Sequence, residues 1–155
     1  MKQRIGLLVA GAVIGVLAFG PLQSRSEAGT GPATIRVTTQ QVQVTRVDVG
    51  RTGTSPGDIE VVTQQLFDRR DLSKPIGHSE LVCTFVDSKR MRVCRGTYVL
   101  PKGKVVVGGT LSYRQFYDLA VLGGTGLYDN ARGSVTVTRT HRRPVRNLVV
   151  MRLVG

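Results

Sequence analysis

The sequence predicts an all-β fold, an eight-stranded antiparallel up-and-down barrel. Three observations carry this prediction. Strand-favouring residues alternate along the chain after about residue 35, no stretch keeps a 3.6-residue period, and clusters of Gly, Pro, Asp, Asn and Ser recur at regular intervals. The 155 residues, 41% of them apolar, fit one compact domain and exclude a coiled coil, a multidomain enzyme and a collagen-like chain. We expect closure because an open sheet leaves unpaired edges.

The predicted strands are separated by clusters of turn-forming residues. The strands are residues 36–49, 58–68, 77–87, 90–100, 103–112, 116–122, 132–141 and 145–153. The intervening clusters include 50–57 (GRTGTSPG), 69–75 (RRDLSKP), 87–89 (DSK), 101–103 (PKG) and 123–130 (GGTGLYDN). The barrel domain is therefore predicted at residues 36–155, after a flexible lead-in at 29–35 that is rich in Gly, Pro and Thr.

The first residues predict a secretory signal peptide. A short basic segment, residues 1–4, precedes an uncharged stretch at 5–20 (IGLLVAGAVIGVLAFG), and Ser26 and Ala28 provide small residues before a cleavage point after Ala28. Sixteen residues are short for a membrane span, which needs about 20. We predict a signal peptide at 1–28 and a secreted or otherwise extracytoplasmic protein. The alternative is an uncleaved N-terminal anchor.

The chain is strongly basic, with 22 Lys and Arg against 10 Asp and Glu and a net charge of +12. In an exported protein, this charge favours contact with acidic cell-surface polymers or lipid head groups. A basic cluster at Arg139, Arg142, Arg143 and Arg146 has no alternating aromatic residues, which single-strand nucleic-acid binding requires. We expect no nucleic-acid partner. The alternative to a surface contact is an ordinary solvated face.

The two cysteines, Cys83 and Cys94, face each other if the chain turns tightly at Ser88–Lys89. An even number of Cys in an exported chain favours a disulfide. A two-residue turn would make this a hydrogen-bonded pair, whose Cα atoms lie farther apart than in the alternate pairs, and a bulge could restore the geometry of a disulfide. Free buried thiols and a catalytic thiol are the alternatives. His78 and His141 do not complete the spacing of a zinc site, and no metal is predicted.

One segment of the chain, residues 119–133 (LAVLGGTGLYDNARG), resembles the VVGGTG-aromatic-x-x-ARG segment of dirigent proteins. Upstream, residues 57–59, 66–68, 77–83, 96–98 and 105–109 occur in an order similar to the allene oxide cyclase family, which shares the barrel. The resemblance covers about residues 42–153. It implies a calycin-like eight-stranded barrel, often trimeric, whose lumen binds an apolar small molecule without a cofactor.

The Gly-Gly-Thr-Gly at 123–126 could also suggest a phosphate-binding loop. No Lys-Ser/Thr follows it and no helical pattern begins there, so a phosphate loop is not predicted. We expect a turn instead, because Gly readily adopts a positive φ.

The resemblance also implies ligand-binding positions. Arg46 and Asp48 match cavity-facing positions that carry a Glu and an Asn in plant allene oxide cyclases, and Gln64 matches a cavity Asn. A Tyr of the cyclases falls near Leu111, with Tyr113 two residues further on. Because that Tyr and the acidic residue are missing, authentic allene oxide cyclase activity is not expected.

The dirigent pattern places an acid near Asp48 and an Arg at Arg132, and both are present. This match implies a steering role, in which the lumen fixes the conformation of a reactive molecule.

Alternation leaves two choices for the strand faces that line the interior. The register implied by the resemblance lines it with residues 42, 44, 46 and 48 of the first strand and 58, 60, 62, 64 and 66 of the second. Ile59, Val61 and Phe67 then face outward, toward a neighbouring subunit. The opposite register packs the apolar set inside. Only in the first do we expect Asp58 and Glu60 to share a low-dielectric cavity, raise each other's pKa and serve as catalytic acid and base.

Three functions follow as hypotheses, and whether the protein is an enzyme stays open among them. The first is a secreted barrel that binds an apolar small molecule and steers its stereochemistry. The second is a cofactor-free isomerase or cyclase that uses lumen carboxylates. The third is a structural extracytoplasmic protein whose segment 139–146 docks on anionic surface polymer. An interior packed shut by Phe85, Tyr98 and Leu100 would favour the third.

Overall fold

A computed structural model describes residues 33–112 and 114–154. The predicted signal peptide at 1–28 lies outside the described residues, as do Tyr113 and Gly155. Within the described ranges, no helix has the length and hydropathy needed to cross a bilayer.

The described chain forms a closed barrel. Its strands are β1 (Ala33–Val47), β2 (Ile59–Asp68), β3 (Pro75–Phe85), β4 (Arg92–Leu100), β5 (Gly103–Leu111), β6 (Phe116–Gly126), β7 (Arg132–Arg142) and β8 (Val145–Val154). Each strand pairs antiparallel with the next in sequence, and β1 also pairs with β8 to close the ring. The prediction of an eight-stranded all-β barrel is confirmed.

Two strands extend into segments that were predicted as lead-in or turn. Ala33 to Ile35 already pair with β8, so the end of the predicted lead-in belongs to β1. Gly123 to Gly126 continue β6 and pair with the start of β5. Gly is needed at position 124 because a Cβ there would collide with the carbonyl oxygen of Tyr128. Gly126 has a φ of 65°, the left-handed conformation expected of a turn, and the turn itself occupies 127–130.

The interior is filled over about half of the barrel's length. Leu66, Tyr98, Met151 and Leu153 are each at most 2% exposed and belong to one apolar cluster with the inward-facing Val residues of β5, β7 and β8. Two polar pairs are satisfied within this packing: the Ser79 hydroxyl donates to Gln64, and the Asn147 amide donates to the Thr39 hydroxyl, each at 3.1 Å. Side chains therefore close one end of the barrel.

A bulge in β1 changes which of its side chains face inward, and a second irregularity lies between β2 and β3. The pairing of β1 with β2 shifts between Gln41 and Gln43, which inserts one extra residue into β1. Val42 was expected on the interior face, but this bulge leaves it 59% exposed, whereas Val44 lines the lumen. A second shift in pairing, of β2 with β3, follows Leu66. The extra residue, Ile76, lies in β3, so β2 stays regular and Phe67 remains opposite Thr38 on the outward face, as expected, although it is only 7% exposed.

The disulfide between Cys83 and Cys94 is confirmed, and the turn beside it explains its geometry. The Val86 N–H donates to the Met91 carbonyl at 3.0 Å, so the loop has four residues, 87–90, instead of two. The Asp87 carboxylate holds this loop by accepting three backbone N–H groups. The longer loop makes Cys83 and Cys94 a non-hydrogen-bonded pair with a Cα–Cα distance of 4.0 Å, and no bulge is needed.

Candidate functional site

A cavity of about 490 Å³ opens at the other end of the barrel, where β2, β4, β6 and β8 begin. Its volume lies in the range of small-molecule pockets, about 300–1,000 Å³. Apolar and polar side chains share its lining: Gln41, Val44, Arg46, Glu60, Val62, Arg92, Arg114, Tyr117, Arg139, Val145 and Asn147. A barrel that is packed at one end and open at the other therefore presents a single-entry pocket.

Glu60 is the centre of a charged cluster in this cavity. Its side chain is 5% exposed, and its Oε2 atom lies 3.0 Å from Arg46 Nε, 2.9 Å from Arg46 Nη2 and 3.0 Å from Arg114 Nη2. Its Oε1 atom lies 3.3 Å from Arg92 Nη1. A buried carboxylate is costly unless it is paired, and three guanidinium groups meet that requirement here.

Arg92 is the most deeply buried of the cavity's arginines. Its side chain is 6% exposed, and its guanidinium lies 5.7 Å from the centroid of the Phe85 ring. Burial lowers the pKa of Arg92, the Glu60 carboxylate opposes this effect, and the charges of Arg114 and Arg46 add to it. The nearby cations thus crowd one another around a single carboxylate.

Tyr117 adds a hydroxyl to the cavity wall. Burial raises the pKa of Tyr117, while the guanidiniums of Arg92 and Arg139 act in the opposite direction. The phenol therefore stays protonated at neutral pH and can donate a hydrogen bond to a molecule in the cavity.

Within the cavity, the structure brings two of the predicted site residues together, Arg46 and Glu60. Gln64 faces inward but lies below the cavity, where it accepts a hydrogen bond from Ser79. Arg132 is at the packed end, with its guanidinium near the carbonyl oxygens of Leu122 and Ala131. These two residues do not line the cavity.

Asp48 and Asp58 lie in the loop between β1 and β2, outside the cavity, and line a smaller depression of about 190 Å³ that Arg46 also borders. The Asp48 carboxylate accepts the Gly53 N–H at 3.1 Å. Asp58 accepts the backbone N–H groups of Val49 and Ser55 at 2.9 and 2.8 Å and the Ser55 hydroxyl at 3.1 Å. These bonds, that from Val49 foremost, lower the pKa of Asp58. Its carboxylate therefore organises the loop. The raised pKa expected of a catalytic acid at Asp58 is not found, because these hydrogen bonds stabilise the charged form.

Sequence reasoning missed three of the cavity's arginines. Arg139 was assigned to a surface cluster, yet it shares the inward face of β7 with Val135 and Val137. Arg92 alternates with Cys94 on β4, a pattern that could have placed it inside. Arg114 arrives from the loop between β5 and β6, and no periodic signal locates a loop side chain. Among residues 33–112 and 114–154, no group of His, Cys, Asp and Glu has the arrangement of a metal site.

Solved structures provide the comparison with known proteins, since no protein-family model and no curated protein sequence matches the chain. A pyocyanin demethylase superposes with a TM-score of 0.68 and 23% identity, over 78% of this chain and 99% of that protein. The pterocarpan synthase dirigent protein PsPTS1 superposes with a TM-score of 0.62 and 11% identity, over 82% of this chain and 98% of that protein. The Diels–Alderase AbmU from Streptomyces koyangensis superposes with a TM-score of 0.62 and 17% identity, over 78% of this chain and 64% of that protein. The chain therefore has the closed eight-stranded barrel fold that dirigent proteins share with Diels–Alderase barrels, as the sequence resemblance indicated.

Proposed function

We propose that this protein is an extracytoplasmic barrel that binds a small molecule in its open half and steers the conformation of that molecule. The observation that carries the proposal is the single-entry cavity of about 490 Å³ with a mixed lining. Val44, Val62 and Val145 provide apolar walls, and the arginines and Tyr117 provide directional polar groups. This combination fixes the orientation of a ligand that is otherwise held by its apolar surface.

The names of the structural neighbours support this proposal. They specify a demethylase, a pterocarpan synthase and a Diels–Alderase, all of which act on small organic molecules. In this chain, enforced orientation is the contribution that the cavity is best suited to make, because a rigid pocket converts a flexible reactant into a reactive conformer. The Cys83–Cys94 disulfide supports an extracytoplasmic location, since such bonds persist in oxidising compartments.

Glu60 contributes by holding the arginines in place. Both of its oxygens already contact guanidinium groups, so it has little capacity left to exchange protons with a substrate. We therefore place binding and orientation ahead of acid–base catalysis by Glu60 and Asp58.

The proposal is tested by native mass spectrometry of the protein purified from its own secretion medium. We expect a co-purifying small molecule with the wild type. Val62→Trp should abolish its retention, because Val62 lines the cavity and an indole would obstruct it. Val82→Trp is the matched control, since Val82 lies on the outer face of the adjacent strand and is 46% exposed. Retention of the molecule by Val62→Trp, or its loss from both variants alike, would contradict binding in the lumen.

A further inference from the structure

The charge balance of the cavity is strongly one-sided. Four arginines line it, Arg46, Arg92, Arg114 and Arg139, against the single carboxylate of Glu60. Each guanidinium carries five N–H donors, whereas one carboxylate offers about four acceptor sites. Glu60 cannot satisfy this many donors, and it already accepts from three of the four groups.

Two buried side-chain donors have no acceptor within the described residues 33–112 and 114–154. These are the Nε atoms of Arg92 and Arg139, both of which are buried. Arg92 as a residue is only 5% exposed, and its one ion-pair contact, with Glu60, is long at 3.3 Å. A buried donor is costly when it is left without an acceptor. These Nε atoms are closed off from solvent, so an oxyanion in the cavity would meet the remaining N–H groups of Arg92 and Arg139, whose charges Glu60 alone does not balance.

The shape of the cavity limits the body that such an anion can carry. The inward positions directly below its lining are filled by Gln64, Cys94, Leu119, Val137 and Val149, each at most 6% exposed. No apolar channel continues past them in the described chain, because Leu66 and Tyr98 pack the next layer. A compact body fits this space, whereas a long alkyl chain would have to fold back on itself or extend out through the mouth.

The guanidinium groups also favour a planar body. A guanidinium recognises a carboxylate with its edge and stacks on an aromatic ring with its face. The Arg92 guanidinium already lies over one aromatic ring, that of Phe85, with its central carbon 5.7 Å from the ring centroid. The Val44, Val62 and Val145 walls complete an apolar surface for the remaining ring face.

Further cations surround the entrance. Lys89 and Arg90 line a depression that adjoins Arg92 and Arg114, and Arg142 and Arg143 line another that adjoins Arg139. Cationic walls of this kind raise the local concentration of anions and speed their entry.

We propose that the ligand of this cavity is a compact aromatic carboxylate whose oxyanion contacts Arg92 and Arg139. This inference rests on the proposed function, because it names the chemical class that the same pocket takes. Tyr117 can donate a further hydrogen bond to the bound molecule.

Isothermal titration calorimetry with three probes tests the inference. They are 2-naphthoate, the neutral isostere 2-naphthamide, and dodecanoate, which keeps the carboxylate on a long chain. We expect 2-naphthoate to bind at least about tenfold more tightly than either other probe, the equivalent of one charge-assisted contact. Arg92→Met and Arg139→Gln should each weaken 2-naphthoate binding about tenfold, by the same reasoning.

Arg95→Gln is the matched control. It removes the same charge from the same strand as Arg92, at an exposed outward-facing position, and should leave 2-naphthoate binding unchanged. Arg139→Gln keeps the test decisive if Arg92→Met folds poorly, because Arg139 has no ion pair with Glu60 to lose.

The inference is wrong if 2-naphthamide binds as tightly as 2-naphthoate, if dodecanoate binds more tightly, or if Arg139→Gln has no effect. Those outcomes overturn the ligand class, and the comparison of Val62→Trp with Val82→Trp decides separately whether the cavity binds a small molecule. The inference is also wrong if no probe binds, and the retained molecule in native mass spectrometry then decides the proposed function separately.

Discussion

Asp58 and Glu60 show how two carboxylates at alternate positions acquire different tasks. Alternation predicts that they share a face, yet β2 begins at Ile59, and Asp58 turns into the preceding loop. Backbone N–H groups surround Asp58, whereas arginine side chains from three other segments surround Glu60. Asp58 therefore holds the loop between β1 and β2, and Glu60 holds the arginines of the cavity.

The lowered pKa of Asp58 predicts a specific loss of stability in acid. Because its pKa in the folded protein is below the ordinary value of 3.8, its contribution is complete above that value and is lost as the pH falls below it. Asp58→Asn should melt at a lower temperature than wild type at pH 7, and the difference should shrink toward pH 3. Thermal melts across this range measure it, with Asp118→Asn as the control for an exposed carboxylate on β6. A difference that stays constant with pH would show that the carboxylate charge does not act here.

At the scale of the strands, the sequence pattern carries most of the fold. Period-two alternation and turn clusters located every strand, and the spacing of Cys83 and Cys94 indicated their pairing. Shifts of a single residue could not be predicted from the sequence, since alternation does not reveal the bulge at Gln41–Gln43 or a hairpin loop of four residues. The lining of the cavity was still harder to predict, because Arg114 and Glu60 are 54 residues apart in sequence and only closure of the barrel brings them into contact.

The glycine-rich end of β6 gives a prediction about strand pairing. A Cβ on Gly124 would meet the carbonyl oxygens of Tyr128 and Lys104, neither of which can move without breaking the turn or the β5–β6 ladder. Gly124→Ala should lower the free energy of unfolding by about 2 kcal/mol, a typical cost of overpacking. Gly109→Ala is the control, because its nearest neighbour is a Leu119 side-chain carbon at 3.2 Å, which needs to shift by only a few tenths of an ångström, and no backbone atom lies closer than 3.7 Å. Denaturant unfolding compares them, and equal losses would show that the close backbone contact is unimportant.

At the scale of the whole molecule, the barrel divides into a packed half that stabilises the fold and an open half that is available for binding. The two polar pairs Gln64–Ser79 and Asn147–Thr39 lie close to this division. Above it, the cavity gathers four cations that add to the cost of folding. A closed ring of strands tolerates such a cost because every strand retains both neighbours.

The disulfide links this architecture to the compartment in which the protein is proposed to act. It joins β3 to β4 beneath the cavity, between residues 11 positions apart. The double variant Cys83→Ala, Cys94→Ala should lower the free energy of unfolding by about 2–3 kcal/mol, because a crosslink over a short loop removes limited unfolded-state entropy.

Protein recovered from the secretion medium should resist alkylation after denaturation and gain two alkyl groups only once it is reduced. If export follows the predicted cleavage after Ala28, its intact mass should correspond to a chain that begins at Gly29. Free thiols in the exported protein would contradict the link between the disulfide and the compartment. A wild-type stability equal to that of the double variant would contradict its contribution to the fold.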